Sequence, residues 1–395
     1  MTGVAGPQPD RTRPRSQPYP LPAHAISYAS TKFAAGCWQL GWSWVANPVA
    51  ILSQPYDGRP GCNYCANCGR GCPRLDKGSA DITLIKKARE TGKCTIRPGC
   101  QVTQLEAGPD DRVRRVVYLD PQGKPQAVVA CGVVETPRLL LLSQNRHARD
   151  GLANESAQVG RHFMETLVWS AAGLHPGPLD SYRGIPADSI CWDFNLPDAF
   201  PGVPGGCILS PATAELDLVG PINYASRVVP GWGSEHKLEL RRVFGRALAI
   251  KAMGESLPND KSFISLDPQR RDKFGRPLAR IDSFPPEMEL RRLRNMAKKT
   301  RELLQTAGVE KIFEEQGTYD VFNSSHVAGT CRMGNDETTS VVDRFGQNHR
   351  WRNLFVADAS VLPSTNGGIG PTLTIQALAL RTADRMRSLD KARKL

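Results

Sequence analysis

The chain has 395 residues, 40% of them apolar and 23% charged, which excludes a disordered polypeptide and allows one large or two medium domains. The net charge of +12 invites an anionic partner, but no dense Lys/Arg run marks a nucleic-acid-binding stretch. No window approaches the ~18 apolar residues of a membrane helix, and the opening "MTGVAGPQPDRTRPRSQPYPLP" lacks a signal peptide's apolar stretch. The expectation is a cytoplasmic protein, or one that reaches a membrane or the periplasm through a partner subunit.

Residues 1–28 read as extended, proline-dominated chain. "STKFAAGCWQLGWSW" (30–44) predicts an amphipathic helix, and a cysteine-bearing loop fills 57–78. "SADITLIKKARETG" (79–92) predicts a helix capped by Ser79 and ended by Gly92. Strands at 94–107, 112–120 and 126–132, followed by a helix at 134–144, give the pattern of an α/β domain. From 165 to 283 glycine and proline punctuate short apolar runs, which predicts an antiparallel sheet in a second region. A long helix follows at 285–308, with Leu290, Leu293, Met296, Leu303 and Leu304 on its apolar face. A buried strand at 353–360 and a helix at 371–389 close the chain, and no internal repeat occurs.

Two stretches carry chemistry. The first is "CNYCANCGRGCP", in which Cys62, Cys65, Cys68, Cys72 and Pro73 have the C-x2-C-x2-C-x3-C-P spacing of a bacterial ferredoxin run. Thiolates on a glycine-containing loop are what an iron–sulfur cluster needs. Zinc ranks second, because its sites more often split into two knuckles. A disulfide pair ranks third, and reduced structural thiols are the alternative without metal. The other seven cysteines are scattered singly, as small buried hydrophobes are.

The second stretch lies at the chain's end. A strand ends at Asp358, the loop "STNGGIG" (364–370) follows, and Pro371 opens a helix whose free N–H groups favour a negative atom in front of them. An ordinary strand-loop-helix packing unit fits the same residues. Upstream, "HVAGTCRMG" (326–334) contains His326, whose imidazole can take a proton near neutrality or serve as a structural hydrogen-bonding group.

These residues resemble the glucose-methanol-choline (GMC) flavoprotein oxidoreductases. "HVAGTCRMG" is similar to that family's active-site motif, "SVVD" (340–343) follows it, and "GVVETPRLLLLS" (132–143) resembles a second family signature, with Gln144 where glycine is usual. "GLANESAQVGRHFMETL" (151–167) is similar to the segment after that signature. The resemblance extends over about 56–388.

It implies FAD as cofactor, with His326 as catalytic base. Val102, Asp358, Ala359, Pro371, Thr372 and Leu373 fall on the family's cofactor contacts. The family usually places His or Asn just before the Pro-Thr of the last helix; here that position is Gly370, with Asn366 four residues away. Some family dehydrogenases that pass electrons to a cytochrome subunit carry cysteines at the relative positions of Cys62, Cys68 and Cys72. No G-x-G-x-x-G turn for the ADP diphosphate occurs in the sequence.

The expected fold is therefore α/β (α+β), an incomplete FAD-binding Rossmann-like domain plus an antiparallel-sheet substrate-binding domain. Its expected parts are an extended, partly helical segment at 1–55 and a FAD-domain part at 56–164. A substrate-binding sheet and helix follow at 165–322, then the active-site motif and C-terminal FAD-domain part at 323–395. The expected reaction is oxidation of an alcohol such as a sugar, polyol or choline-like compound, with hydride passing to flavin and electrons to a quinone or cytochrome, and a second chain completing the FAD site. The rival is a truncated, non-catalytic relative acting as a structural or electron-transferring subunit.

Overall fold

In the computed structural model, which describes residues 2–8, 15–118, 127–320 and 326–392, helix α1 (Tyr28–Gln39) starts where Ser27 Oγ accepts from the Ser30 N–H at 3.2 Å. It ends short of the expected 44, because Leu40 leaves the helix and Gly41 turns to φ 70°. The short α2 (Lys86–Glu90) is preceded by one π-turn at Asp81–Ile85. Ser79 does not cap it; its carbonyl instead accepts from Thr83 Oγ1.

A hairpin of β1 (Val102–Ala107) and β2 (Val113–Tyr118) leads to β3 (Ala127–Val129), α3 (Gly132–Leu142) and β4 (Met164–Glu165). The middle of the chain supplies β5 (Leu167–Leu174), β6 (Cys207–Pro211), α4 (Pro221–Arg227), α5 (Gly233–Val243) and β7 (Ala247–Gly254). A second hairpin, β8 (Phe263–Arg271) and β9 (Pro277–Asp282), precedes α6 (Glu287–Thr306) and β10 (Lys311–Gly317). The chain closes with β11 (Val327–Ala328), β12 (Leu354–Val356) and α7 (Thr372–Lys391). The outer ends of the expected strands at 112–120 and 126–132 lie outside the described residues, as do Ser324, Ser325 and the side chain of Asn366.

The chain divides into two units that interleave along the sequence, 1–96 with 168–254 and 291–323, and 97–167 with 255–290 and 324–395. The cysteine loop falls in the same unit as the antiparallel sheet. The expected antiparallel sheet is present in the first unit, with strand order β6-β7-β5-β10. It pairs antiparallel where β6 meets β7 (Cys207↔Gly254) and where β10 meets β5 (Lys311↔Leu174). Its fourth strand comes from beyond 283, and the 165–283 stretch also contains α4 and α5, which the punctuation by glycine and proline hid. Helix α6 packs on this unit through Leu293, Met296, Leu303 and Leu304. At Gly254 a Cβ would stand 2.6 Å from Met296 Sδ, so the helix approaches the sheet where no side chain intervenes.

The second unit holds the parallel pair β3–β12 (Val129↔Val356) and the β1–β2 hairpin. Leu105, Leu139, Leu140, Leu152, Val341, Trp351, Leu354 and Val356 form its core. Trp351 is fully buried, and its indole N–H donates to Glu155 at 2.8 Å. Helix α7 buries only Thr382 and Leu389 among its described side chains, and Leu373 in its first turn is 70% exposed.

Candidate active site

The motif at 326–334 is built by backbone it does not contain. Strand β11 pairs with β4, Val327 opposite Glu165, and Thr166 Oγ1 donates to the His326 carbonyl at 3.0 Å. Beyond it the motif runs beside 359–361: the Cys331 N–H donates to the Ser360 carbonyl and the Met333 N–H to that of Val361, each at 2.8 Å. Gly329 has φ 100°, and a Cβ there would lie 2.2 Å from the His162 carbonyl oxygen. Only glycine meets both conditions. Thr330 is fully buried and donates to the Val133 carbonyl at 2.6 Å. Cys331 is also fully buried, and burial pushes its thiol up. It packs the motif.

His326 itself is half-buried and faces the start of α7. A Cβ on Gly370 would stand 3.4 Å from its Cε1 and 3.6 Å from its Nε2. The first turn of α7 has no side-chain cap, and Thr372 and Leu373 are exposed. Its leading N–H groups therefore point out beside the imidazole with no capping side chain to take them. This arrangement fits the electron-rich end of a flavin.

The loop carrying Gly370 is fixed by a chain of buried hydrogen bonds. Thr365 Oγ1 accepts from the Ser256 N–H at 2.6 Å, Ser256 Oγ donates to Glu289 Oε1 at 2.6 Å, and the Leu257 N–H donates to the same oxygen at 3.0 Å. Sequence reasoning missed Thr166, Ser256, Thr365 and Glu289. Thr365 sits inside a loop that the sequence singled out; the others give no local signal, since each matters through a partner far along the chain.

The cofactor residues expected from the resemblance divide into two kinds. Pro371, Thr372 and Leu373 lie at the open first turn of α7, and Val102 is an exposed residue of β1. Asp358 is committed internally: its carboxylate accepts from the Gly132 N–H at 3.0 Å, Thr136 Oγ1 at 2.6 Å and the Ser360 N–H at 2.8 Å. It joins the start of α3 to the turn after β12, and Ala359 packs against Met164 and Leu362. Both residues shape the backbone around the site.

The cysteine loop does not assemble the expected ligand set. Among the described residues no group of three or more His, Cys, Asp or Glu is placed to hold a metal ion. Cys62 Sγ accepts from the Tyr64 N–H at 3.3 Å, and Cys72 Sγ donates to Asp76 Oδ1 at 3.0 Å. Cys68 lies in an apolar cluster with Ile51 and Ile185, while Cys65 is exposed. Burial raises the Cys62 thiol and pushes that of Cys68 up to about 11, so both are protonated near neutrality. Tyr64 and Ala66, at φ 59° and 57°, turn the chain between the thiols. The spacing reproduces a ligand run, but this backbone gives the sulfurs unlike partners, with Cys62 packed against the Cys68 cluster.

Comparison with known proteins agrees with the architecture. The GMC oxidoreductase models match residues 22–168 and 258–379. The chain is 28% identical to 2-methyl-1,2-propanediol dehydrogenase of Mycolicibacterium austroafricanum, over 95% of this chain and 68% of that protein. It is 28% identical to the fructose dehydrogenase large subunit of Gluconobacter japonicus, over 97% of this chain and 70% of that protein. A solved structure of pyridoxine 4-oxidase from Mesorbium loti covers 98% of this chain with a TM-score of 0.62 at 18% identity, and this chain covers 72% of it. The chain thus spans 68% and 70% of the length of the two relatives named. With the family's models matching more than half of its length, the chain belongs to the GMC oxidoreductase family.

Proposed function

We propose that this chain is the catalytic part of a FAD-dependent dehydrogenase that oxidises an alcohol CH–OH group, with His326 as the base. The observation that carries the reading is the imidazole of His326 set against Gly370 at the uncapped first turn of α7. A flavin held against that turn supplies the two-electron acceptor. The chain's own residues do the rest. Thr166 fixes the His326 backbone, so the imidazole is held where it can take the hydroxyl proton. The N–H groups of α7 stabilise negative charge in front of them. Pro371, Thr372, Leu373 and Val102 are the residues that would hold the cofactor. The dehydrogenases among the relatives, named for a diol and for fructose, support a polyol or sugar as substrate class.

The name of the fructose dehydrogenase large subunit supports a further subunit in that relative, and we extend this to a partner that receives electrons or completes the FAD site. A quinone or cytochrome is the proposed acceptor. No electron step is assigned to Cys62–Cys72, because among the described residues no three of these side chains are grouped to hold a metal ion. Gly370 favours a second reading, a non-catalytic relative, since it offers the substrate oxygen no side-chain donor.

The test is dye-coupled turnover of the chain, supplied with FAD and any co-purifying subunit, on a panel of sugars and polyols. Activity that falls at least about a hundredfold in His326→Ala supports the base. Flavin-loaded protein that oxidises no alcohol would establish the second reading.

A further inference from the structure

We propose that the α4–α5 hairpin is a docking surface for an anionic lipid bilayer. The hairpin is held rigidly to its own unit. Tyr224 is fully buried and its hydroxyl accepts from the Ala247 N–H at 2.6 Å, while Val228, Val229 and Val243 pack into the cluster beside β7. With that face committed, the outward side chains cannot turn inward.

Those outward side chains are large and apolar. Ile222 is 82% exposed, Trp232 is 90% exposed and Leu238 is 63% exposed. Ile222 lies two residues from the buried Tyr224, and Leu238 two residues from Leu240, which packs on the core cluster. Two residues are more than half a helical turn, so each apolar side chain stands on the side of its helix away from the core. Trp232 occupies the N-cap position of α5 in extended backbone and cannot cap it with its side chain. Its presence there is unexplained by the helix.

Charge selects the occupant. Lys237 and Arg241 are exposed, flank Leu238 on α5 and have no acidic partner among the described residues. From 217 to 246 the chain has five Lys and Arg against three Asp and Glu. With Asp217 paired to Arg70, Arg227 to Glu314 and Glu239 to Arg242, Lys237, Arg241 and Arg246 are left against Glu235. An indole and two aliphatic side chains exposed on a helix pair that also carries Lys237 and Arg241 match the boundary between acyl chains and anionic head groups. The surface is independent of the flavin reading, and its test reads no activity.

The full chain is co-sedimented with vesicles of phosphatidylcholine alone and of phosphatidylcholine mixed with phosphatidylglycerol. We expect binding to the mixed vesicles, weakened when salt rises from ~0.1 to ~1 M and the Debye length shrinks from about 10 to 3 Å. The triple variant I222S/W232S/L238S should lower the partition coefficient by about tenfold or more. Lys237→Gln with Arg241→Gln should lower it on the mixed vesicles only. Trp232→Phe should remove a lipid-induced blue shift in tryptophan emission. Circular dichroism checks that each variant folds; if the triple variant does not, the charge variant and W232F decide. Absence of wild-type binding to the mixed vesicles overturns the proposal, as does undiminished binding by the variants. A lipid-free wild type that self-associates, while the folded variants stay monomeric, assigns the surface to a protein contact and overturns it too.

Discussion

The histidine motif at 326–334 and the cysteine loop at 62–72 are the two stretches whose residue types announce chemistry, and they fold to opposite effect. The first is clamped by partners from four distant segments, at 162–166, 133, 359–361 and 370, which leave one functional side chain facing the open turn of α7. The second gives its thiols unlike partners: Cys68 lies in an apolar cluster against which Cys62 packs, Cys62 also accepts from a backbone N–H, Cys72 donates to a carboxylate and Cys65 is exposed. Spacing determines which side chains can meet. Whether they do depends on backbone direction, and that is imposed by contacts outside the motif.

The strongest way to break the contrast is at Gly329. Gly329→Ala forces a Cβ onto the His162 carbonyl and strains the backbone. It should cost about 3 kcal/mol or more, read as a lowered denaturation midpoint. His326→Ala should leave the midpoint near wild type while lowering turnover at least about a hundredfold; a fully active variant would remove the imidazole from the reaction.

Gly370 sharpens the same comparison from the other side. Its φ is not in the left-handed region, and a Cβ would make ordinary contact with the imidazole, so Gly370→Asn should fold. An added donor for the substrate oxygen should raise turnover roughly tenfold or more, and a drop would show that the open space itself serves the substrate.

Serine in place of all four of Cys62, Cys65, Cys68 and Cys72 should leave turnover unchanged and cost about 1 kcal/mol for the buried hydroxyl at 68. Stoichiometric iron in the wild type, lost in the variant, would reverse the reading of that loop.

The smallest effect concerns Glu165, which is 8% exposed and has Oε2 unpartnered among the described residues. Burial raises its carboxyl above the ordinary 4.5, Glu289 adds to the shift, and the Ser283 hydroxyl opposes it. The folded state therefore holds the proton more tightly than the unfolded state. The stability this gives is complete below about pH 4.5 and is lost as pH climbs through the folded value. Glu165→Gln should flatten that decline in midpoint against pH; an unchanged slope would show that Glu165 is not its source.

The sequence by itself determined the helices at α1, α3, α6 and α7, the strands around 102–118 and 354–356, and the identity of His326 as the residue to watch. Those features are carried by local periodicity, caps and a run of adjacent residues, so one stretch of chain contains the information. Only the tertiary structure decided the rest. It committed Asp358 to the start of α3, brought Ser256 and Glu289 under the Gly370 loop, drew the fourth strand of the sheet from 311–317, and left the cysteine loop without a grouped metal-ligand set among the described residues. Each of these depends on hydrogen-bonding or packing partners remote along the chain or on the course of the backbone, and a short window of sequence contains neither.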